Sequence, residues 1–202
     1  MKAHFFISVL LAVLVTVFFG GTVAAEHLAE NRTKPYQVVI VRHADKKDKS
    51  KDSALSVAGK NRANALGEIL EKWNVQYIHS TKWRRTYHTA YPAAESASKE
   101  IMIYQSLSQL AEQVQLSGGK HLVIGHSNTV NEIVQNLGGT PGGSIDSKEY
   151  DRLYLLEANC SGQVATKIFS YPAQKEHIQA ALLKGLPECQ GIGASEARLP
   201  NP

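Results

Sequence analysis

The chain has 202 residues, 43% hydrophobic and 20% charged, a composition typical of a single globular domain. Its formal net charge of +4 is mildly basic, but its lysines and arginines are scattered along the sequence. The one dense run, "DKKDKSKD" at 45–52, is interrupted by aspartates and is typical of a solvated loop. The sequence therefore argues against a nucleic-acid-binding protein, and no nucleic-acid partner is expected.

The first 25 residues differ in character from the rest of the chain. A short positive start, "MKAH", precedes an uncharged apolar run, and Val23-Ala24-Ala25 has the small residues that precede a cleavage point. This pattern predicts a signal peptide over 1–25 and a single mature domain over 26–202, which is periplasmic or secreted. After cleavage no stable membrane insertion is expected. An uncleaved membrane anchor is the minor alternative, because about 20 uncharged residues can also span a bilayer.

Beyond the signal peptide the sequence alternates between short apolar runs and patterns with helical spacing. The first predicted elements are a strand at 37–41, a helix at 55–73 with Ser56 as N-cap, and a strand at 75–80. A loop or helix start follows at 81–97, with a kink near Pro92. The later elements are a strand at 121–125, a helix at 130–137 closed by Gly138-Gly139, and a strand pair at 152–158 and 164–171. Alternating strands and helices predict an α/β fold. We expect a three-layer sandwich with a largely parallel central sheet and helices on both faces.

Residues suited to phosphate chemistry follow three of the predicted strands. Arg42-His43 comes directly after the first strand, Arg84-Arg85 lies a few residues after the second, and His126 directly follows the third. In open α/β sheets, ligands bind in the crevice beyond the carboxyl ends of the strands. These side chains are therefore expected to meet at one edge of the sheet.

The chemistry of this set is that of phosphoryl transfer. A guanidinium group matches two phosphate oxygens at once, and a helix start near Asn128 adds backbone N–H donors. A neutral imidazole can attack phosphorus and form a phosphohistidine, which divides one difficult displacement into two easier ones. A second, charged imidazole stabilises the transferring group. Because protein cations supply the positive charge, no metal and no cofactor are expected.

Four motifs in this order resemble the signatures of the histidine phosphatase (phosphoglycerate mutase-like) superfamily: "VRHADK", "LSVAGKNRA", "STKWRRTYHTA" and "GHSNTV". The first and last resemble a small branch with an "RHA[ED]K" motif and a "GHSNT" motif. The resemblance implies that His43 is the nucleophile and that Arg42 and Arg85 bind phosphate. It also implies that His126 binds phosphate and stabilises the transition state. The more usual glycine after the first histidine is replaced here by Ala44.

Two residues are candidates for the general acid that protonates the leaving group. Family members with a dedicated glutamate carry it between the second arginine and the second histidine, where this sequence has Glu112. Asp45, beside the nucleophile, is the other candidate. If neither serves, the substrate has a leaving group that needs little protonation, such as phosphohistidine or an anhydride.

The sequence thus predicts an exported, metal-independent phosphatase acting through a phosphohistidine on phosphate monoesters, with a phosphorylated small molecule, glycan or peptide as its partner. About 40 residues separate Arg85 from His126, enough for a helix, a connection and a strand, but not for an insert that encloses a small sugar phosphate. The open alternatives are a phosphohistidine or phosphoprotein phosphatase, mutase-type phosphotransfer, a metal-dependent hydrolase with His43, Asp45 and His126 as ligands, and a non-catalytic phosphate-binding protein.

The sequence contains two cysteines, Cys160 and Cys189. An even count in a chain that is predicted to be exported favours a disulfide between them. Two buried free thiols are the alternative. Neither cysteine lies in a CxxC motif or beside a histidine, so no catalytic role is assigned to them.

Overall fold

The computed structural model describes residues 34–187 and 189. Its strands are β1 (Tyr36–Arg42), β2 (Tyr77–Ser80), β3 (Ile101–Ile103), β4 (Gly119–Gly125), β5 (Arg152–Ala158) and β6 (Val164–Ser170). Its helices are α1 (Val57–Leu70), α2 (Arg84–Ala97), α3 (Leu107–Ser117), α4 (Val130–Asn136) and α5 (Lys175–Leu182), and a short 3₁₀ helix, Glu71–Trp73, follows α1. The predicted signal peptide lies outside the described residues. Within the part of the chain that the structure describes, no helix has the length and apolar character needed to cross a membrane.

The six strands form one sheet in the order β3-β2-β4-β1-β5-β6. Neighbouring strands from β3 to β1 are parallel, whereas β5 runs antiparallel to both β1 and β6. Helices pack on both faces of the sheet, and the core is divided between these faces. The predicted three-layer α/β sandwich with a largely parallel sheet is confirmed, as is the late strand pair.

The central strand β1 is buried along its whole length, as its continuous apolar run predicts. Because alternate side chains of a strand point to opposite faces, Val39 and Val41 join the core beneath α1, α2 and α5, while Val38 and Ile40 join the core beneath α3 and α4. Tight packing on both faces fixes the carboxyl end of β1. The residues that follow this end therefore begin from a rigid point.

The start of α1 is set by the predicted N-cap and by a close contact with the chain after β1. The Ser56 hydroxyl accepts a hydrogen bond from the Gly59 amide at 3.0 Å, which satisfies one of the free donors of the first turn. A Cβ atom on Gly59 would lie only 2.2 Å from the carbonyl oxygen of Asp45. Glycine is thus required for α1 to approach the segment that begins at His43.

Three elements were not assigned by the sequence patterns. β3 has three residues and α5 has eight, which is too short for a clear periodic signal, and α3 was expected only as an unplaced helix. Segment 81–97, predicted as a loop or a helix start, contains one helix from Arg84 to Ala97 with Pro92 in its interior. Pro92 packs against α1 at Gly67, where an added Cβ would lie 3.0 Å from the proline Cβ.

The predicted disulfide between Cys160 and Cys189 is confirmed, with the two Cα atoms 5.6 Å apart. It joins the turn between β5 and β6 to the chain beyond α5. Neither cysteine lines the cleft that contains His43 and His126.

We expect reduction of this disulfide to lower the melting temperature while turnover at low temperature stays nearly unchanged. A bridge across 29 residues restricts the unfolded chain and contributes about 3.6 kcal/mol in the chain-entropy model. Differential scanning calorimetry with and without reductant, together with the double variant C160A/C189A, measures the effect. Loss of activity on reduction, with the fold intact, would contradict the separation of bridge and cleft.

Two buried histidines pair across the neighbouring strands β2 and β4. His121 donates through Nε2 to the Gly118 carbonyl oxygen at 2.8 Å, so its Nδ1 accepts from Nε2 of His79 at 3.0 Å. Burial lowers the pKa of His79 to about 3, with a smaller contribution from the neighbouring His121 charge, and lowers the pKa of His121 to about 4. Both rings are therefore neutral at neutral pH.

We expect the free energy of unfolding to fall as the pH drops below about 6.5, the pKa of histidine in an unfolded chain. Below that pH the unfolded histidines take up protons, whereas the folded His79 and His121 stay neutral until the pH approaches their lowered pKa values. Each such histidine changes the free energy of unfolding by up to about 1.4 kcal/mol per pH unit. Urea unfolding at several pH values between about pH 5 and pH 7 measures the free energy of unfolding. For H79N, a plot of this free energy against pH should be shallower than for the wild type. The matched control is H177N at an exposed histidine, and equal slopes in both variants would contradict this origin.

Candidate active site

The sheet topology brings the predicted site residues to one edge. Arg42, the last residue of β1, pairs in register with Gly125, the last residue of β4. His43 and His126 follow these partners directly, and the His43 amide donates to the Gly125 carbonyl oxygen at 2.9 Å. The two imidazole ring centroids are 5.4 Å apart. On the other side of β4, β2 leads into α2, whose second residue is Arg85.

These side chains line one cleft of about 380 Å³. Its lining residues are Arg42, His43, Lys46, Lys51, Trp83, Arg85, His126, Ser127 and Asn128. Two larger or similar hollows elsewhere on the protein lack this combination of histidines and arginines. The cleft at the carboxyl edge of the parallel strands is therefore the candidate active site.

His43 is held in one tautomer. Its Nδ1 lies 2.9 Å from the carbonyl oxygen of Ala44, and because a carbonyl only accepts, Nδ1 carries the proton and Nε2 has a free lone pair. The residue is 4% exposed, and burial, reinforced by the positive charges of Arg42 and Arg85 and by the nearby His126, lowers the pKa of His43 to about 3. A neutral imidazole with a free Nε2 is the form that can attack an electrophilic centre.

Thr89 connects the segment after β1 to the first turn of α2. Its hydroxyl accepts from the Ala44 amide at 2.9 Å and donates to the Arg85 carbonyl oxygen at 2.6 Å. Thr89 thereby joins the backbone of Ala44, the residue whose carbonyl oxygen orients His43, to the helix that carries Arg85. Thr89 was present in the motif "RRTYHTA" but received no role; its position four residues after Arg85, on the same helix face, was the available signal.

His126 is fixed by two polar neighbours. Its Nδ1 lies 3.5 Å from Nη2 of Arg85, the outer limit of a hydrogen bond, and its Nε2 lies 3.2 Å from the hydroxyl of Thr81. Because arginine only donates, Nδ1 is the acceptor and Nε2 carries the proton. Burial, together with Arg85 and Arg42, lowers the pKa of His126 to about 4. The neutral form therefore dominates in the protein without ligand.

Arg42 both lines the cleft and anchors a distant loop. Its Nη1 donates to carbonyl oxygens of that loop at distances of 2.8 to 3.1 Å, namely those of Asp146, Ser147 and Glu149. Its guanidinium carbon lies 4.1 Å from the ring centroid of Tyr150, within cation–π distance. The buried Nε has no hydrogen-bond partner among the described residues, so part of the Arg42 guanidinium group is still available to an anion.

Arg85 is the member of the Arg84-Arg85 pair that lines the cleft. Its Nη1 donates to the Lys51 carbonyl oxygen at 2.9 Å, and its guanidinium carbon lies 5.3 Å from the Trp83 ring centroid. The buried Nε of Arg85 also lacks a hydrogen-bond partner among the described residues. Arg84, in contrast, is exposed.

The two candidate general acids do not line the cleft. Glu112 lies on the exposed face of α3. The Asp45 carboxylate accepts from Nε of Arg62 at 2.8 Å, in an ion pair at the base of α1. The cleft lining contains no aspartate or glutamate from the described part of the chain.

The arrangement bears on the metal-site alternative as well. Within residues 34–187 and 189, no group of three or more histidine, cysteine, aspartate or glutamate side chains is placed to hold a metal ion. The alternative ligand Asp45 is instead engaged by Arg62. The two histidines are accompanied by arginine and lysine side chains, which are suited to an anion rather than a cation.

Sequence reasoning missed several residues of the cleft. Lys46, Lys51 and Trp83 line it, and the ring of Tyr150 lies 6.0 Å from that of His43. The lysines belong to the run at 45–52 that was interpreted as a solvated loop. No local periodicity marks them, because their position depends on how this loop folds back over the cleft.

Part of the sequence matches a known family. Residues 38–113 match the sequence model of the histidine phosphatase superfamily (branch 1). A comparison with curated proteins gave no match.

Several solved structures share the fold. "Mycobacterial hydrolase 1" is 15% identical, with a TM-score of 0.55 over 68% of this chain and 99% of its own. The protein histidine phosphatase SixA, complexed with tungstate, is 17% identical, with a TM-score of 0.55 over 66% of this chain and 96% of its own. A mycobacterial glucosyl-3-phosphoglycerate phosphatase is 14% identical, with a TM-score of 0.55 over 68% of this chain and 99% of its own. At these identities the likeness is one of fold.

The segment 38–113 is therefore similar in sequence to the histidine phosphatase superfamily, and the solved phosphatase structures share the fold of this chain. The matched segment contains Arg42, His43 and Arg85, and parallel pairing of β1 with β4 adds His126 from outside that segment.

Proposed function

We propose that the protein is an exported, metal-independent phosphatase that hydrolyses phosphate monoesters through a phosphohistidine on His43. One observation carries the proposal: a neutral His43, with its Nε2 lone pair free, shares a cleft with Arg42, Arg85 and His126. Export rests on the sequence pattern at 1–25.

In the first step, Nε2 of His43 attacks phosphorus, an N–P bond forms and the ester P–O bond breaks, and the leaving oxygen departs as an alcohol with the proton that the monoanionic ester brought into the cleft. Arg42 and Arg85 carry the guanidinium donors that neutralise the non-bridging oxygens. In the second step, water attacks the phosphohistidine, the N–P bond breaks, and inorganic phosphate leaves with the imidazole restored to its neutral form. The water supplies the oxygen and both protons of the released dihydrogen phosphate.

His126 changes its protonation when the phosphate binds. In the free protein, burial and the neighbouring arginines keep the pKa of His126 low. An anionic phosphate placed between His126 and the arginines acts in the opposite direction and favours the charged imidazolium. A phosphate monoanion brings its own proton, since its second pKa is about 6. His126 then donates to the phosphoryl oxygen that gains charge.

A second candidate is a phosphohistidine or phosphoprotein phosphatase. No carboxylate from the described residues lines the cleft, and this favours leaving groups that need little help from a general acid. A phosphohistidine or an anhydride is such a substrate. The structural relative SixA is described as a protein histidine phosphatase, which adds support to this alternative.

The test is turnover of p-nitrophenyl phosphate by the purified mature chain, with and without EDTA. We expect phosphate release at the same rate in both, and rapid quenching should trap a phosphate on the protein that is labile in acid and stable in base. If EDTA abolishes phosphate release, the result would support a metal-dependent hydrolase instead. Binding of vanadate without any turnover would support a non-catalytic phosphate-binding protein.

A further inference from the structure

The outer wall of the cleft is cationic. Beyond Arg42 and Arg85, the lining residues include Lys46, which is half-buried, and Lys51, which is exposed. Nζ of Lys51 lies 5.8 Å from the ring centroid of Trp83, on the same wall. The cleft therefore has four cationic side chains and, from the described part of the chain, no anionic one.

The loop that carries both lysines has a defined fold. A β-bridge between Lys46 and Leu55 closes its base, and the Lys47 amide donates to the Ala54 carbonyl oxygen at 2.9 Å. At its tip, the Asp48 carboxylate accepts from both the amide and the hydroxyl of Ser50. These bonds hold the loop in one conformation over the cleft.

The same loop is joined directly to the phosphate-binding side. The backbone carbonyl oxygen of Lys51 accepts from Nη1 of Arg85 at 2.9 Å. Asp52, the next residue, accepts from the Arg84 amide at 2.8 Å and so caps the start of α2. The backbone of Lys51 is thus held next to the Arg85 guanidinium, which lines the cleft.

The carboxylates near the lysines are already engaged elsewhere. Asp45 pairs with Arg62, Asp48 closes the loop tip, and Asp52 caps α2. Within the described residues, no ion pair joins Lys46 or Lys51 to a carboxylate. Two ammonium groups beside a cleft that already holds two guanidinium groups exceed the charge of one phosphate.

We propose that Lys46 and Lys51 form a second anion subsite, and that the natural substrate carries a further phosphate group beyond the one that is hydrolysed. The inference deepens the proposed function and rests on it. The scissile phosphate lies between His43 and the arginines, and the second phosphate lies at the lysine wall beside Trp83. A pyrophosphate and a compound with two separate phosphates share this chemistry.

The experiment compares substrates with one and two phosphates. We expect wild-type kcat/KM to be higher for fructose 1,6-bisphosphate than for fructose 6-phosphate, or for inorganic pyrophosphate than for p-nitrophenyl phosphate. A preference for fructose 1,6-bisphosphate indicates a substrate with two separate phosphates. A preference for inorganic pyrophosphate indicates a substrate that contains a pyrophosphate group. K46Q/K51Q should lower kcat/KM for the preferred doubly phosphorylated substrate by about tenfold or more, because two charge-assisted contacts are lost. Its kcat/KM for p-nitrophenyl phosphate should fall by a clearly smaller factor, because that substrate has no second phosphate to contact the lysines.

The matched control is K47Q/K49Q, which removes two exposed lysines of the same loop that do not line the cleft. K47Q/K49Q should leave kcat/KM unchanged for substrates with one phosphate and for substrates with two. Equal losses in the two double variants, or no preference for a second phosphate in the wild type, would overturn the subsite.

A binding measurement keeps this test separate from that of the proposed function. Isothermal titration calorimetry with inorganic phosphate and with pyrophosphate needs no turnover. If the protein is catalytically inactive but binds pyrophosphate more tightly than phosphate, and K46Q/K51Q removes only that difference, the subsite stands and the phosphatase proposal fails. If the protein turns over p-nitrophenyl phosphate but binds both anions equally, the phosphatase stands and the subsite fails.

Discussion

Replacing His43 with alanine is expected to lower kcat for p-nitrophenyl phosphate by about 10³-fold or more, the scale seen when a nucleophile is removed. The physical reason is that Nε2 of His43 is the one imidazole nitrogen in the cleft with a free lone pair in the ligand-free protein, because Nδ1 of His126 already faces Arg85. Steady-state turnover measures the loss. Rapid quenching with labelled substrate should yield no acid-labile phosphate on the variant.

Two comparisons make the His43 result specific. H88A removes an exposed histidine of α2 that does not line the cleft, and it should keep wild-type activity. His43 is buried, so thermal melting must show that H43A is folded at the assay temperature. If folded H43A still accumulates the acid-labile label, another residue is the nucleophile.

The second large effect is expected at Arg85, where alanine should weaken inhibition by vanadate about tenfold or more. A charge-assisted hydrogen bond contributes about 1.5 to 3 kcal/mol, and Arg85 faces the cleft with a buried Nε that has no partner among the described residues. The inhibition constant for vanadate measures the change. R84A is the matched control, since Arg84 is the exposed neighbour, and its inhibition constant should stay within about twofold.

Arg85 is a cleaner test of phosphate binding than Arg42. R42A also removes the bonds to three carbonyl oxygens of the loop at 146–149 and the contact with Tyr150, so it combines a loss of binding with a loss of loop structure. An unchanged inhibition constant in R85A, together with a raised one in R84A, would assign the phosphate to Arg84 instead.

Two opposing requirements meet at the histidines of the cleft. The nucleophile must be neutral, and burial beside Arg42 and Arg85 keeps the pKa of His43 low. The second histidine is useful when charged, yet the same surroundings lower the pKa of His126 as well. A bound phosphate satisfies both requirements. Its negative charge favours a proton on His126, while Nε2 of His43 uses its free lone pair to form the bond to phosphorus.

The sequence by itself determined much of the fold, because its signals are local. Continuous apolar runs identified β1 and β4, and Ser56 was recognisable as an N-cap. The alternation of these runs with segments of helical spacing identified a sheet covered by helices on both faces. Placing Arg42-His43 and His126 at strand ends needed only the rule that parallel strands present their carboxyl ends at one edge. The cysteine pair needed only an even count and a predicted export signal.

The tertiary structure decided what depends on contacts between distant parts of the chain. Arg42 is anchored by carbonyl oxygens more than 100 residues away, and no periodic pattern around Arg42 contains that information. The proton on Nδ1 of His43 follows from the position of the Ala44 carbonyl oxygen, and the amide of the same residue donates to the Thr89 hydroxyl of α2. Asp45 turns to Arg62 rather than to the cleft because Gly59 lets α1 come within contact of its backbone. The lysines of a run that looked like a solvated loop reach the cleft because a β-bridge and Arg85 fold that run back over it.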